Sequence, residues 1–251
     1  MGRPFCLYLL LVASQLLAQD YSHDLTGITK VVITVETDVL LKTHTPTTLL
    51  LKEAENSRRK RPAAAAGLTA LTGRGKDNTG YGVQIQQAGG QLMVTGLRDR
   101  LAPGLTIHLP ADVKVSVQVL VNNDISVTGF RSEIEAINHL GEIILTNVTG
   151  PVVAENNLGN ITVVYTEVSQ VSPSSFVTSG GDIDLQLPAA AAVTLKAKTP
   201  RGDFFTDFKV EQVQRKNARS YQRTVAGTIN GGGVVMDLRS VRGNIYLRKL
   251  K

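Results

Sequence analysis

From Asp124 the chain can be written in units of nine: DISVTGFRS, EIEAINHLG, EIILTNVTG, PVVAENNLG and NITVVYTEV. The second place of each unit holds Ile125, Ile134, Ile143, Val152 and Ile161, and the fourth holds Val127, Ala136, Leu145, Ala154 and Val163. Side chains of a strand alternate with period two, so places two and four share one face and send an apolar pair inward from every unit. Gly141, Gly150 and Gly159 close three successive units, and Asn138, Asn147 and Asn156 share a place within them. Glycine supplies backbone freedom for a corner, and asparagine tolerates left-handed geometry there. A strand of about five residues plus a corner, repeated without helices, predicts a parallel β-solenoid. A meander of hairpins is the rival, but an inward pattern that never changes between units fits coils better.

The pattern continues at longer spacing in GDIDLQL from Gly181, GDFFTDF from Gly202 and GNIYLRK from Gly243. The polar residues that follow these glycines, Glu142, Asn160, Asp182, Asp203 and Asn244, recur at about twenty residues, with the interval before Asn244 equal to two such steps. A full coil is therefore expected to hold two short strands, with a Gly-polar-Ile corner in each coil.

The tripeptide Arg201-Gly202-Asp203, inside TPRGDFF, resembles a cell-adhesion ligand. Its glycine and aspartate are one instance of the corner motif, and only Arg201 lies outside the repeat. The glycosylation sequons at Asn147 and Asn160 are likewise explained first by repeat geometry.

Upstream, ITKVVITVET, VLLKTH, TTLLLKEA, GVQIQQ, QLMVTGL, LTIHLP and VKVSVQVLV are β-branched or alternating runs bounded by turn residues, and helical periodicity is scarce. Gly89-Gly90 reads as a hairpin turn. The expected fold class is all-β, with a parallel solenoid over 121–251 continuous with an N-terminal β region over 19–120. Residues 55–80, with an Ala run and the basic cluster Arg58, Arg59, Lys60 and Arg61, break the alternation and read as a long solvated loop.

Residues 1–18 carry Arg3, an apolar run from Phe5 to Ala13 and a small residue at Ala18, the pattern of a secretory signal peptide cleaved after Ala18. No later stretch approaches the apolar length a spanning helix needs. Cleavage removes Cys6, the one cysteine, so the exported chain must be held by its core rather than by disulfides. The formal charge of +6 bears mainly on solubility, and with no Trp and 5% aromatic residues no stacking platform for bases or sugars is expected.

The iterated Gly-Asp/Glu/Asn-Ile units, together with GTINGGGVVMDLRSVRGNIYLRK over 227–249, resemble the bacterial putative-adhesin family of exported domains of unknown function. Asn230, Gly231, Gly232, Gly233 and Gly243 to Ile245 carry the C-terminal part of the match, and KDNTGYGVQI and IHLPADVKVSV extend it more loosely upstream. The resemblance implies export and an adhesin-like or structural role. Some relatives are linked to sensing envelope stress, which makes a regulatory role the alternative. The family offers no catalytic residues to carry over.

Independent signs of chemistry are few. His23, His44, His108 and His139 show no metal-ligand spacing, and GRGKDNTG lacks the Gly-Lys-Ser/Thr ending of a phosphate loop. The best enzymatic case stacks Asp182 and Asp203 on one corner column with Asp184 a strand step away, as in β-helix enzymes acting on carbohydrates. Corners need only a polar residue, however, so the expectation is a non-catalytic chain without metal or cofactor. Its expected partner is an envelope protein or polysaccharide rather than nucleic acid.

Overall fold

The structure, a computed structural model, describes residues 20–53, 75–97, 104–212 and 223–251. The expected leader over 1–18 and the basic cluster Arg58 to Arg61 lie outside the described residues. Every described element is a strand: β1 (Tyr21–Asp24), β2 (Lys30–Val35), β3 (Val39–His44), β4 (Thr48–Glu53), β5 (Val83–Ala88), β6 (Gln91–Gly96), β7 (Leu105–Pro110), β8 (Lys114–Val119), β9 (Ile125–Thr128), β10 (Ile134–Asn138), β11 (Ile143–Val148), β12 (Val152–Asn156), β13 (Ile161–Tyr165), β14 (Ser174–Thr178), β15 (Ile183–Leu187), β16 (Val193–Lys198), β17 (Phe204–Thr206), β18 (Glu211–Gln212), β19 (Thr224–Ile229), β20 (Val234–Ser240) and β21 (Ile245–Lys249). They form two sheets. Sheet A runs β1-β4-β7-β3-β9-β11-β13-β15-β21-β17, and sheet B runs β18-β19-β16-β20-β14-β12-β10-β8-β2-β6-β5.

From β8 to β15, consecutive strands alternate between the sheets, so each nine-residue unit is half a coil. Ile143 pairs in parallel with Ile161, and Ile134 with Val152, which settles coils over hairpins. Each sheet turns apolar rows inward. Leu41, Val127, Leu145, Val163, Leu185 and Leu247 make one unbroken column of fully buried side chains in sheet A. Burying each such aliphatic contributes roughly 1.5–3 kcal/mol, and this column and its neighbours take the place of disulfides. The solenoid also reaches further upstream than residue 121. β2 pairs in parallel with β6 and β8, and β3 with β7 and β9, within the same sheets. Antiparallel strands appear near the ends: β1, β4 and β7 in sheet A, the hairpin β5–β6, and β16, β19 and β18 in sheet B. Gly89 and Gly90, at φ 55° and 76°, form the expected hairpin turn.

The sequence reading errs on the order of the last coils. The interval from Asp203 to Asn244 is not two successive steps. β20 and β21 are inserted between the coil of β14 and β15 and the coil of β16 and β17. The C-terminal coil therefore lies inside the stack, and β17, earlier in sequence, forms the edge of sheet A.

The corner glycines also work differently from expectation. None of Gly141, Gly159, Gly181, Gly202 and Gly243 has positive φ. Each lies so close to the coil below that a Cβ would overlap its backbone: 1.9 Å from the Gly141 carbonyl oxygen at Gly159, and 2.0 Å from the Gly243 carbonyl oxygen at Gly202. Of the three repeat asparagines only Asn147, at φ 55°, is left-handed.

Candidate functional site

The polar residues of the repeat form two hydrogen-bonded columns along one corner. The inner column is buried. Asn138 donates to the Asn123 carbonyl at 2.8 Å and Asn156 to the Gly141 carbonyl at 2.7 Å. Thr178, Ser240 and Thr199 donate in the same way to the carbonyls of Gly159, Gly181 and Gly243. Four of the five also accept the N–H of the glycine three residues on: Gly159 to Asn156, Gly181 to Thr178, Gly243 to Ser240 and Gly202 to Thr199. A buried amide or hydroxyl thus satisfies one backbone acceptor below it and one donor in its own turn, which offsets its desolvation. Thr178, Thr199 and Ser240 were not legible as equivalents of Asn138 and Asn156, because only their hydrogen-bonding geometry is shared.

The outer column holds the acids. Asp38 accepts the N–H of Asp124 at 2.9 Å, and Asp124 that of Glu142 at 2.8 Å. Further along, Asn160 accepts the N–H of Asp182 at 2.9 Å, Asp182 that of Asn244 at 2.7 Å, and Asn244 that of Asp203 at 2.9 Å. Between the two runs, the Asn160 amide donates to Oε1 of Glu142 at 3.3 Å. Asp182 and Asp203 do share a column, but they are not neighbours: Asn244 stands between them. Asp203 ends the column paired with Arg223 at 2.8 Å, beside an open hollow of about 400 Å³ that also touches Thr199 and Phe204.

Asp184 projects outward from β15. Burial raises its carboxyl above the ordinary range despite Arg248 at 3.0 Å, and its Oδ1 is buried without a hydrogen-bond partner. Of the Arg-Gly-Asp tripeptide, Arg201 is exposed, Gly202 is packed under the Gly243 carbonyl, and Asp203 is held by Arg223, so the three do not present a free loop.

The histidines do not converge on a metal. Among the described residues no group of three or more His, Cys, Asp or Glu could hold an ion. His139 is exposed on its corner. His44 and His108 do come together, with ring centroids 6.0 Å apart, a contact that their wide sequence separation hid. Burial and the nearby Lys52, His44 and Lys42 hold His108 below the ordinary imidazole range. His23 keeps a buried Nε2 without a hydrogen-bond partner. Near the end of the 55–80 stretch, burial pushes the Asp77 carboxyl up, but the N–H groups of Thr79, Gly82 and Gly80 outweigh it and hold it below the ordinary range.

Two aromatic rings from distant segments meet at the surface. Phe205 on β17 and Tyr246 on β21 are register partners facing outward, their rings stacked at 5.4 Å and 14°. The Arg248 guanidinium lies 5.0 Å from the Tyr246 ring centre, and the Lys249 ammonium 5.6 Å from that of the buried Phe208.

Among the described residues, no helix is long and apolar enough to cross a membrane, which says nothing of spanning strands. No curated protein matches the chain. Two solved structures are similar over 92% of it. One is a "putative cell adhesion protein" from Clostridium sporogenes ATCC 15579, at 9% identity, TM-score 0.43 and 100% of that chain. The other is a "putative adhesin" from Bacteroides fragilis NCTC 9343, at 11% identity, TM-score 0.43 and 96% of that chain. The family model described as Toastrack DUF4097 matches residues 76–248, which take in the loop at Asp77, the inner corner column and the outer column from Asp124 onward, and the chain belongs to that family.

Proposed function

We propose that the chain is an exported, non-catalytic interaction protein of the bacterial envelope or cell surface, using the outward faces of its two sheets as docking surfaces. One observation carries this reading: the recurring acids and asparagines are engaged in the corner columns. Asp124 and Asp182 each accept a backbone N–H, Asp203 is ion-paired with Arg223, and Asp184, whose carboxyl feels the charge of Asp182, is ion-paired with Arg248, so each of these repeat carboxylates already has a structural partner. The coil interior is filled by mainly apolar side chains, most of them aliphatic. What remains for recognition is the outside. The N-terminal segment MGRPFCLYLLLVASQLLA supports delivery across a membrane.

Cell fractionation tests the compartment. Expressed with its leader in a bacterial host, the protein is expected outside the cytoplasm with Gln19 at its N-terminus. Recovery from the cytoplasm as full-length chain beginning at Met1 overturns export. Saturable binding of the purified protein to isolated envelopes is expected, and its absence sinks the docking role.

A further inference from the structure

We propose that the terminal rungs of sheet A, β21 and β17, form a binding site for an acidic polysaccharide, with Phe205 and Tyr246 as its stacking platform and Arg248, Arg242 and Arg201 as its anion contacts. This names the ligand class for the envelope reading above and rests on it.

Phe205 is half exposed, and the other described aromatics apart from its partner Tyr246 are buried or packed against the core. Fold alone does not require rings here. The same outward row holds Ser126, Ile144, Thr162 and Asp184 on the preceding rungs of sheet A. The platform is also held in place. Tyr246 stacks on Phe205, its hydroxyl accepts from the Asn244 amide at 3.1 Å, and Arg248 covers its ring while anchored to Asp184 at 3.0 Å. A guanidinium fixed in this way is pre-organised for a carboxylate.

Charge on both sides of the rings selects an extended anion. Exposed Arg201 and Arg242 occupy the corners that lead into β17 and β21, four residues before Phe205 and Tyr246. Arg248 follows two residues after Tyr246. Arg248 lies over the Tyr246 ring, 5.0 Å from its centre, while the two corner arginines each precede their strand. The acids nearest the rings are already engaged: Asp184 with Arg248, Asp203 with Arg223, and Asp207 with the Lys249 N–H. A saccharide ring can lay its C–H face on the exposed side of Phe205 while carboxylates on neighbouring sugars reach the arginines. A nucleobase can stack on the same exposed face of Phe205, and oligo-dT is therefore one of the comparisons that test the site.

Titration calorimetry of the purified protein with polygalacturonate tests the site, with dextran as the neutral comparison. Saturable binding to polygalacturonate and none to dextran are expected. Phe205→Ala, Arg248→Ala and Arg242→Ala should each weaken binding by about tenfold, on the scale of one stacking or charged contact. Phe205→Tyr should retain it, and so should Arg131→Ala, which removes an exposed arginine paired with Asp112 instead. Thermal melts identify any variant that has lost its fold, and the three alanine variants act at separate positions, so one unfolded protein leaves the others decisive. Undiminished binding in folded variants, no binding at all, or equal binding of oligo-dT or phosphatidylglycerol vesicles overturns the proposal. If envelopes bind wild type and Phe205→Ala alike, this site falls while the envelope role stands. Loss of binding to both envelopes and polygalacturonate sinks both.

Discussion

The backbone N–H of Asn244 donates to Oδ1 of Asp182 at 2.7 Å, across 62 residues of chain. Together with the Asn244 to Asp203 contact, this bond places the C-terminal coil inside the solenoid rather than at its end. Cysteine pairs can test that order in a background where Cys6 is Ser. Ser175 is the register partner of Asp237, and Asp237 in turn of the residue before Ala197, Lys196. Ser175→Cys with Asp237→Cys should form a disulfide under mild oxidation. Ser175→Cys with Lys196→Cys should not, being two strand spacings apart, about 10 Å and beyond disulfide reach. Cross-linking of the second pair alone would restore simple sequential stacking.

Gly159→Ala should destabilise the protein by about 3 kcal/mol or more, because its Cβ would lie 1.9 Å from the Gly141 carbonyl oxygen and neither backbone can yield easily. Gly231→Ala meets nothing within 4 Å and strains only its φ of +82°, at a cost of about 1–2 kcal/mol. Urea denaturation of the two variants should therefore rank Gly159→Ala well below Gly231→Ala, and the reverse ranking would contradict close coil stacking.

Asn156→Thr should keep most of the stability, within about 1 kcal/mol, since Thr178 makes the same two bonds at the equivalent place. Asn156→Leu leaves the Gly141 carbonyl and the Gly159 N–H without their partner and should cost about 2–4 kcal/mol. Equal melting temperatures for the two variants would show that the inner column contributes nothing.

Glu135 supplies a pH signature. The Ser116 hydroxyl at 2.7 Å and the Lys30 ammonium at 3.1 Å hold its carboxyl below the ordinary range. A depressed carboxyl contributes stability that is complete above its unfolded value and is lost as pH falls through its folded value. The stability difference between wild type and Glu135→Gln should therefore be constant above about pH 5 and shrink below about pH 4. A difference unchanged at pH 3 would refute that linkage.

Asp203→Asn should fold almost normally, as Asn already serves at positions 160 and 244 of the column. The lost pairing with the half-exposed Arg223 should cost less than about 1 kcal/mol. Gly202→Val should prevent stable folding through overlap with the Gly243 carbonyl, not through an unfavourable φ. A well-folded Gly202→Val protein, seen by circular dichroism and a cooperative melt, would overturn the close-packing account of this corner.

The sequence by itself determined which face of each strand turns inward and where each coil bends. Ile125, Ile134, Ile143, Val152 and Ile161 recur every nine residues, each followed two places on by a second apolar residue, and strand geometry turns both places of every unit inward, on sheets A and B in turn. Local periodicity does not say which coils are neighbours. Gly181, Gly202 and Gly243 carry nearly the same motif, so chain order alone made the coils look sequential, and only tertiary packing placed Asn244 between Asp182 and Asp203. It also decided that glycine serves close approach rather than positive φ, and that Asn, Thr and Ser meet equivalent carbonyls in the inner column. The meeting of Phe205 with Tyr246 was decided in the same way. Each depends on which backbone atoms lie one coil away, and that distance is set by long-range pairing that no local pattern encodes.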